Sequence, residues 1–208
     1  MKTIFKILLL GAVVVLGYLC VKSILDPLSF EEESARRKQV VINRLIDIRN
    51  IQTEYRNLYG QYASTFDTLV DFVKSGHIPQ VVKEGMLTEQ QLASGLTEKE
   101  AVKQGLIKRD TVRVPVIDVL FGGNYKADSL GYVPGTTTMF ELAVGSITTA
   151  SGFEVKVFEC KTPYEVYLQG LDRQEIINLK DLAKKLDRYP GLKVGSVTEI
   201  NNNAGNWE

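Results

Sequence analysis

Histidine occurs once and cysteine twice in 208 residues. A zinc site built from Cys and His, and a disulfide framework, are therefore both excluded from within the chain. No sign of charge is in excess, since 25 Lys and Arg face 25 Asp and Glu. Nucleic-acid binding, which needs a surplus of Lys and Arg on one face, loses its usual basis. Catalytic signatures are also missing. His77 is the only histidine, at a helix end between Gly76 and Ile78, and reads as a loop residue rather than a base for a serine or cysteine nucleophile. Gly122-Gly123-Asn124 is a turn without the Lys-Ser/Thr of a phosphate loop. Asp118, Asp128 and Asp172 lack calcium-loop spacing. Cys160 follows a strand and reads as a small buried residue, because Cys20 lies in the apolar N-terminal run. Carboxylates distant in sequence can meet in space, but no acid pair is singled out. The sequence thus points to no catalytic, cofactor-binding or metal-binding residue, and to a protein that is not an enzyme.

What the sequence has in abundance comes first in the chain. Ile7 to Val21 is an unbroken apolar run bounded by Lys6 and Lys22. Extended from Ile4 to Leu25, it rises roughly 33 Å at ~1.5 Å per residue, enough for a bilayer's hydrocarbon core. The terminal lysines can snorkel to the headgroups. A cleaved signal peptide is the first alternative, but Gly17-Tyr18-Leu19 and Lys22-Ser23-Ile24 lack the small-x-small pattern. Lipidation at Cys20 is the second, and Leu19 stands where a small residue belongs. The expectation is an uncleaved anchor whose partner is the lipid bilayer, through residues 4–25. Lys2 and Lys6 favour a cytoplasmic N-terminus, although Lys22 and Arg36-Arg37-Lys38 lie on the other side. The remainder is then extracytoplasmic, or periplasmic, on an inner-membrane protein.

Asp26-Pro27 predicts a kink or restart, with Ser29 and Glu32 as a capping box for a new helix. Val41, Leu45, Ile48, Gln52, Tyr55 and Tyr59 then recur at helical spacing, widened by Ile51 and Leu58, until Gly60. This 41–59 seam can pack on the chain's own domain or pair with another copy or partner as a homo- or hetero-oligomer. The domain reading is an anchor over 1–28, a long juxtamembrane amphipathic helix over 29–60, and an α+β head over 61–208. In the head, Ser64 and Asp67 predict a helix over 65–74 with Phe66, Leu69, Val70 and Val73 on its apolar face. Ile78-Pro79 leads away in extended form. Thr88 and Thr97 are two candidate helix starts, the second a capping box with Glu100. Strands are expected over 111–116, 140–144, 153–158, 165–168 and 192–197, with Pro115 confining the first to an edge or bulge. Residues 145–152 form the connection between the second and third, and Asn178 caps a helix over 179–186. Trp207, the single tryptophan, is either a docked anchor or exposed.

Two resemblances add to this. The hydrophobic helix, the amphipathic stretch ending Ile48-Arg49-Asn50-Ile51-Gln52-Thr53-Glu54-Tyr55, then Tyr59-Gly60-Gln61-Tyr62 and a helix with Phe66, Leu69 and Phe72 resemble bacterial type IV pilins and pseudopilins over about the first 75 residues. The resemblance implies a pilin-like shape with a small antiparallel-sheet head. Those precursors are processed after a glycine, with a glutamate five residues into the mature chain; here Leu16 follows Gly11, and Lys22 follows Gly17, at that spacing. The second half is similar to an uncharacterised family of bacterial single-pass membrane proteins. It shares Gly105-Leu106-Ile107-Lys108-Arg109-Asp110-Thr111-Val112, Tyr189-Pro190-Gly191-Leu192-Lys193-Val194-Gly195 and the ending Asn203-Ala204-Gly205-Asn206-Trp207-Glu208. The combined expectation is a membrane-anchored envelope protein with a structural, assembly or interaction role. A membrane-tethered ligand-binding or hydrolytic domain is the alternative.

Overall fold

In the computed structural model the described residues are 2–84, 97, 100 and 108–208, with side chains described for all of these except 2–3, 21–27, 81–84 and 108–110. The protein is α+β, with one long helix and small antiparallel sheets. Helix α1 runs over Lys2–Tyr59 without interruption. The restart offered at Asp26-Pro27, with a fresh start at Ser29, does not occur. Proline removes one i→i−4 bond, but the helix-favouring Leu, Ile and Glu residues around it carry the ladder past the gap. Among the described residues no helix is long and apolar enough to cross a membrane. The described side chains of the apolar run end at Cys20, and Ile4 to Cys20 rises only about 25 Å. Its continuation to Leu25 lies outside the described side chains.

The chain divides into two compact units, one of residues 1–49 and 131–208, the other of 50–130. In the first, strands β3 (Glu141–Thr148), β4 (Glu154–Pro163) and β5 (Gly191–Gly195) form a sheet in that order, all antiparallel. Glu141 pairs with Lys161 and Thr148 with Glu154; Glu159 pairs with Gly195 and Pro163 with Gly191. The first half of the connection expected over 145–152 is strand. Only Thr149–Phe153 turns, closed by hydrogen bonds from the Thr149 and Phe153 N–H groups and by Gly152 at φ +82°. One sheet face carries Phe158, Cys160, Thr162, Leu192 and Val194, all buried; the other carries Glu159 between Lys161 (3.0 Å) and Lys193 (3.9 Å). Period-two alternation separates the core from the ionic face. Val41, Ile42, Leu45 and Ile48 of α1 complete the core of this unit, each at most 7% exposed. A fully buried side chain of this kind contributes about 1.5–3 kcal/mol.

Two elements differ from those the sequence predicts. Residues 165–168 are not a strand: α4 (Tyr164–Tyr167) is a single helical turn entered from Pro163 and closed by the Leu168 N–H on the Tyr164 carbonyl. Helix α5 spans Arg173–Lys185 and is capped by Asp172, whose carboxylate accepts the Gln174 and Glu175 N–H groups. Asn178 lies inside it, bonded to the side chains of Gln174 and Glu175. The tail docks on β5. Lys193 N–H donates to the Asn206 side chain, Asn206 N–H donates to the Lys193 carbonyl, and Val194 bridges Gly205. Arg49 holds Glu208 at 2.6 Å.

The second unit begins with the last residues of α1. Its helix α2 (Phe66–Ser75) is capped by Thr65, one residue later than the sequence predicts, through its hydroxyl and the Thr68 N–H. Tyr55 and Tyr59 pack their rings on Phe72. Strands β1 (His77–Glu84) and β2 (Lys108–Pro115) make a two-stranded antiparallel ribbon in which Pro115 faces His77 at the end, where its missing N–H is harmless. Helix α3 (Val116–Phe121) follows and stops at Gly122 with φ +66°. Thr97 and Glu100 form the expected capping box, with both N–H groups satisfied by the opposite side chain. The helix start expected at Thr88 lies outside the described residues.

Candidate binding groove

Two helices of the first unit present the same spacing to one another. Glu31, Ser34, Ala35 and Lys38 lie at i, i+3, i+4 and i+7 on α1; Leu179, Leu182, Ala183 and Leu186 lie at i, i+3, i+4 and i+7 on α5 and its C-cap. That interval gathers side chains on one helical face. Both stripes line an open groove of about 370 Å³. Its floor is Tyr167, Leu168 and Leu192, nearly inaccessible at 3%, 1% and 3%. Tyr164, Tyr189 and the half-buried Trp207 wall it, so Trp207 is docked rather than free. Leu182 and Leu186 remain 55% and 54% exposed at the lip.

The walls are neutral. Burial pushes all three phenols up, Tyr189 to about 12 with further help from Glu141, Glu159 and Glu165. The rim is charged. Lys38 and Arg188 line the groove together with one acid, Glu31, and among the described residues neither cation has a carboxylate within ion-pair distance. Next to Arg188 a second depression is lined by Lys180, Lys184, Asp181 and Asp187. Lys180 is held by Glu165.

The floor is fixed by Arg37. Its guanidinium donates to the Tyr167 and Gln169 carbonyls at 3.4 and 2.9 Å, and its Nε donates to Glu33 at 2.7 Å. Hydrogen bonds from Arg36 and then Arg37 bring the Glu33 carboxyl down from 4.5 to about 2. A carboxylate depressed on folding stabilises the fold above its unfolded pKa and stops doing so as pH falls through the folded one. Between pH 4.5 and 2 the Glu33→Gln variant is therefore expected to lose less of its stability than the parent protein. Thermal melts followed by Trp207 emission across that window check this; identical pH profiles would remove Glu33 from the account.

The residues with chemical potential lie in separate elements. His77 sits at the start of β1, its Nδ1 3.0 Å from the Ser75 carbonyl, so that nitrogen carries the proton. Cys160 is fully buried in the sheet core, and burial raises its thiol far from reactivity. Asp118 lies within α3, Asp128 pairs with Lys74, and Asp172 is a helix cap. Among the described residues no three His, Cys, Asp or Glu side chains come close enough to hold a metal ion. The buried Gln52 bonds both backbone groups of Ala63, at 2.8 and 2.9 Å. Sequence reasoning missed the groove, although Leu179, Leu182, Ala183 and Leu186 already had the spacing of a stripe. Comparison of the chain with protein-family models, with curated proteins and with solved structures found no match.

Proposed function

We propose that this is a non-enzymatic, membrane-anchored envelope protein that works by assembly or interaction. Residues 4–25 cross the bilayer with the N-terminus in the cytoplasm, and the α+β part lies outside it. One observation carries the reading. From Ile4 to Leu19 the large apolar side chains of α1 are 53–70% exposed, on every side of the helix. Leaving a dozen such side chains in water forgoes on the order of 20 kcal/mol at ~1.5–3 kcal/mol each. A lipid phase covers all of them at once, and Lys6 and Lys22 mark its two boundaries. The element order of α1 followed by an antiparallel sheet fits the pilin-like resemblance. Leu16 and Lys22 at the positions of the filament glutamate favour interaction over filament building. The face available for homo- or hetero-oligomer formation over 41–59 is reduced, because Val41, Leu45, Ile48 and Ile51 are already buried in the chain itself.

Alkaline carbonate extraction of membranes tests the anchor. Full-length protein should stay in the pellet, and its release into the supernatant would end this reading. The alternative of a tethered ligand-binding domain is favoured by a different observation, the aromatic groove between α1 and α5.

A further inference from the structure

We infer that the groove between α1 and α5 seats an acyl chain of an anionic phospholipid drawn from the bilayer that holds α1. This rests on the anchoring proposed above and gives the same protein a specific ligand class.

The lining decides the class of ligand. Leu182, Leu186 and Trp207 surround a floor closed to water, while the phenols stay neutral at every physiological pH. Such walls favour hydrocarbon, and about 370 Å³ falls within the ~300–1,000 Å³ typical of small-ligand pockets. The rim decides the charge. Lys38 and Arg188 stand at the opening without an ion-pair partner among the described residues, against Glu31 in the groove, while Asp181 and Asp187 share the neighbouring depression with Lys180 and Lys184. An anionic headgroup over an apolar tail matches both parts at once.

Position decides the source. Leu25 ends the apolar run, and Glu31 and Lys38 follow it by about 9 and 20 Å along α1 at ~1.5 Å per residue. The headgroup layer is itself about 5–8 Å deep on each side of the hydrocarbon. The groove therefore opens next to the headgroups, where tyrosine and tryptophan rings are favoured. Leu28 continues the track. It is 56% exposed and lies three residues before Glu31 and seven before Ala35, on the same helical face. A lipid tail leaving the bilayer along this face meets leucine before it reaches the groove.

The single tryptophan makes the groove its own reporter. Full-length protein is reconstituted into phosphatidylcholine vesicles containing a minor fraction of phosphatidylglycerol, with bromine on the acyl chains of one lipid or the other. Flotation first shows whether the protein is in the vesicles. Brominated phosphatidylglycerol should quench Trp207 more strongly than an equal fraction of brominated phosphatidylcholine. Lys38→Gln and Arg188→Gln should each reduce that preference about fivefold. Leu182→Glu, at an exposed position, should abolish quenching by both lipids while leaving the melting temperature unchanged. Protein that floats but whose Trp207 is unquenched overturns the groove assignment and leaves the anchor standing. Equal quenching by both lipids, with no change in Leu182→Glu, overturns the groove assignment in the same way. Protein that does not float overturns the anchoring and this inference with it.

Discussion

Gly195→Ala is expected to destabilise the first unit by about 3 kcal/mol or more, lowering its melting temperature by roughly 10 °C. Gly195 ends β5 with φ +71°, and a Cβ there would lie 2.2 Å from the Phe158 carbonyl oxygen. Two penalties add. A left-handed conformation costs a residue with Cβ about 1–2 kcal/mol. The overlap with Phe158 requires β4 to move, and overpacking of that kind costs about 1–3 kcal/mol. Phe158 and Cys160 are fully buried and β4 is paired on both sides, so the strand has nowhere to go. Gly152 separates the two penalties, because its φ is +82° but a Cβ added there would meet nothing within 4 Å. Gly152→Ala should therefore show the conformational penalty alone. Thermal denaturation of both variants beside the parent protein checks this, and equal shifts would refute the steric part.

Gln52→Leu should cost the second unit about 2–5 kcal/mol, although it makes the seam of α1 uniformly apolar. The carboxamide is 0% exposed and accepts the Ala63 N–H while donating to the Ala63 carbonyl. Leucine leaves both backbone groups buried and unpaired, at about 1–3 kcal/mol each. Gln52→Glu gives a second readout. When protonated, glutamic acid can still donate to the Ala63 carbonyl; when ionised, it faces that carbonyl with a buried charge. Burial raises a carboxyl pKa, so the folded state of this variant holds its proton longer than the unfolded state. Its stability is greatest below the unfolded value and falls as pH rises toward the folded one. Urea titrations at pH 5 and pH 8 should show the variant weaker at pH 8, whereas Gln52→Leu should be equally weak at both. A Gln52→Leu protein as stable as the parent would mean that water replaces the amide.

Gln52 also marks a limit of what the sequence makes legible. Its polarity inside an apolar seam is plain, but its partner lies beyond the Gly60 turn, 11 residues away. Val41, Leu45 and Ile48 are legible as a buried face because their period is local. The strands around Val157 and Val194 are legible for the same reason, through alternation. The ends of elements are less so. Asp172 and Asn178 are both competent caps, and the choice falls on Asp172 because Ile176, on the turn it initiates, is buried in the core. Glu165–Leu168 has the β-compatible residues of a strand, yet Arg37 reaches across from α1 to the Tyr167 and Gln169 carbonyls and holds a helical turn there. The groove depends on such long-range bonds, on the docked tail and on two stripes far apart in sequence. None of these leaves a local pattern.

The first unit is made of two stretches of chain separated by residues 50–130. Arg37 finds its carbonyl partners 130 and 132 positions later, and Arg49 meets Glu208 159 positions later. Synthesis runs from the amino end, at ~5–20 residues per second. The Val41–Leu45–Ile48 face thus emerges several seconds before β4 and β5 exist to complete its core, while residues 50–130 are free to close on themselves in the interval. The oldest part of the unit is the last to be sheltered. A holding chaperone has its window of action there, and slow codons placed between residues 50 and 130 would lengthen that exposure without altering a single side chain.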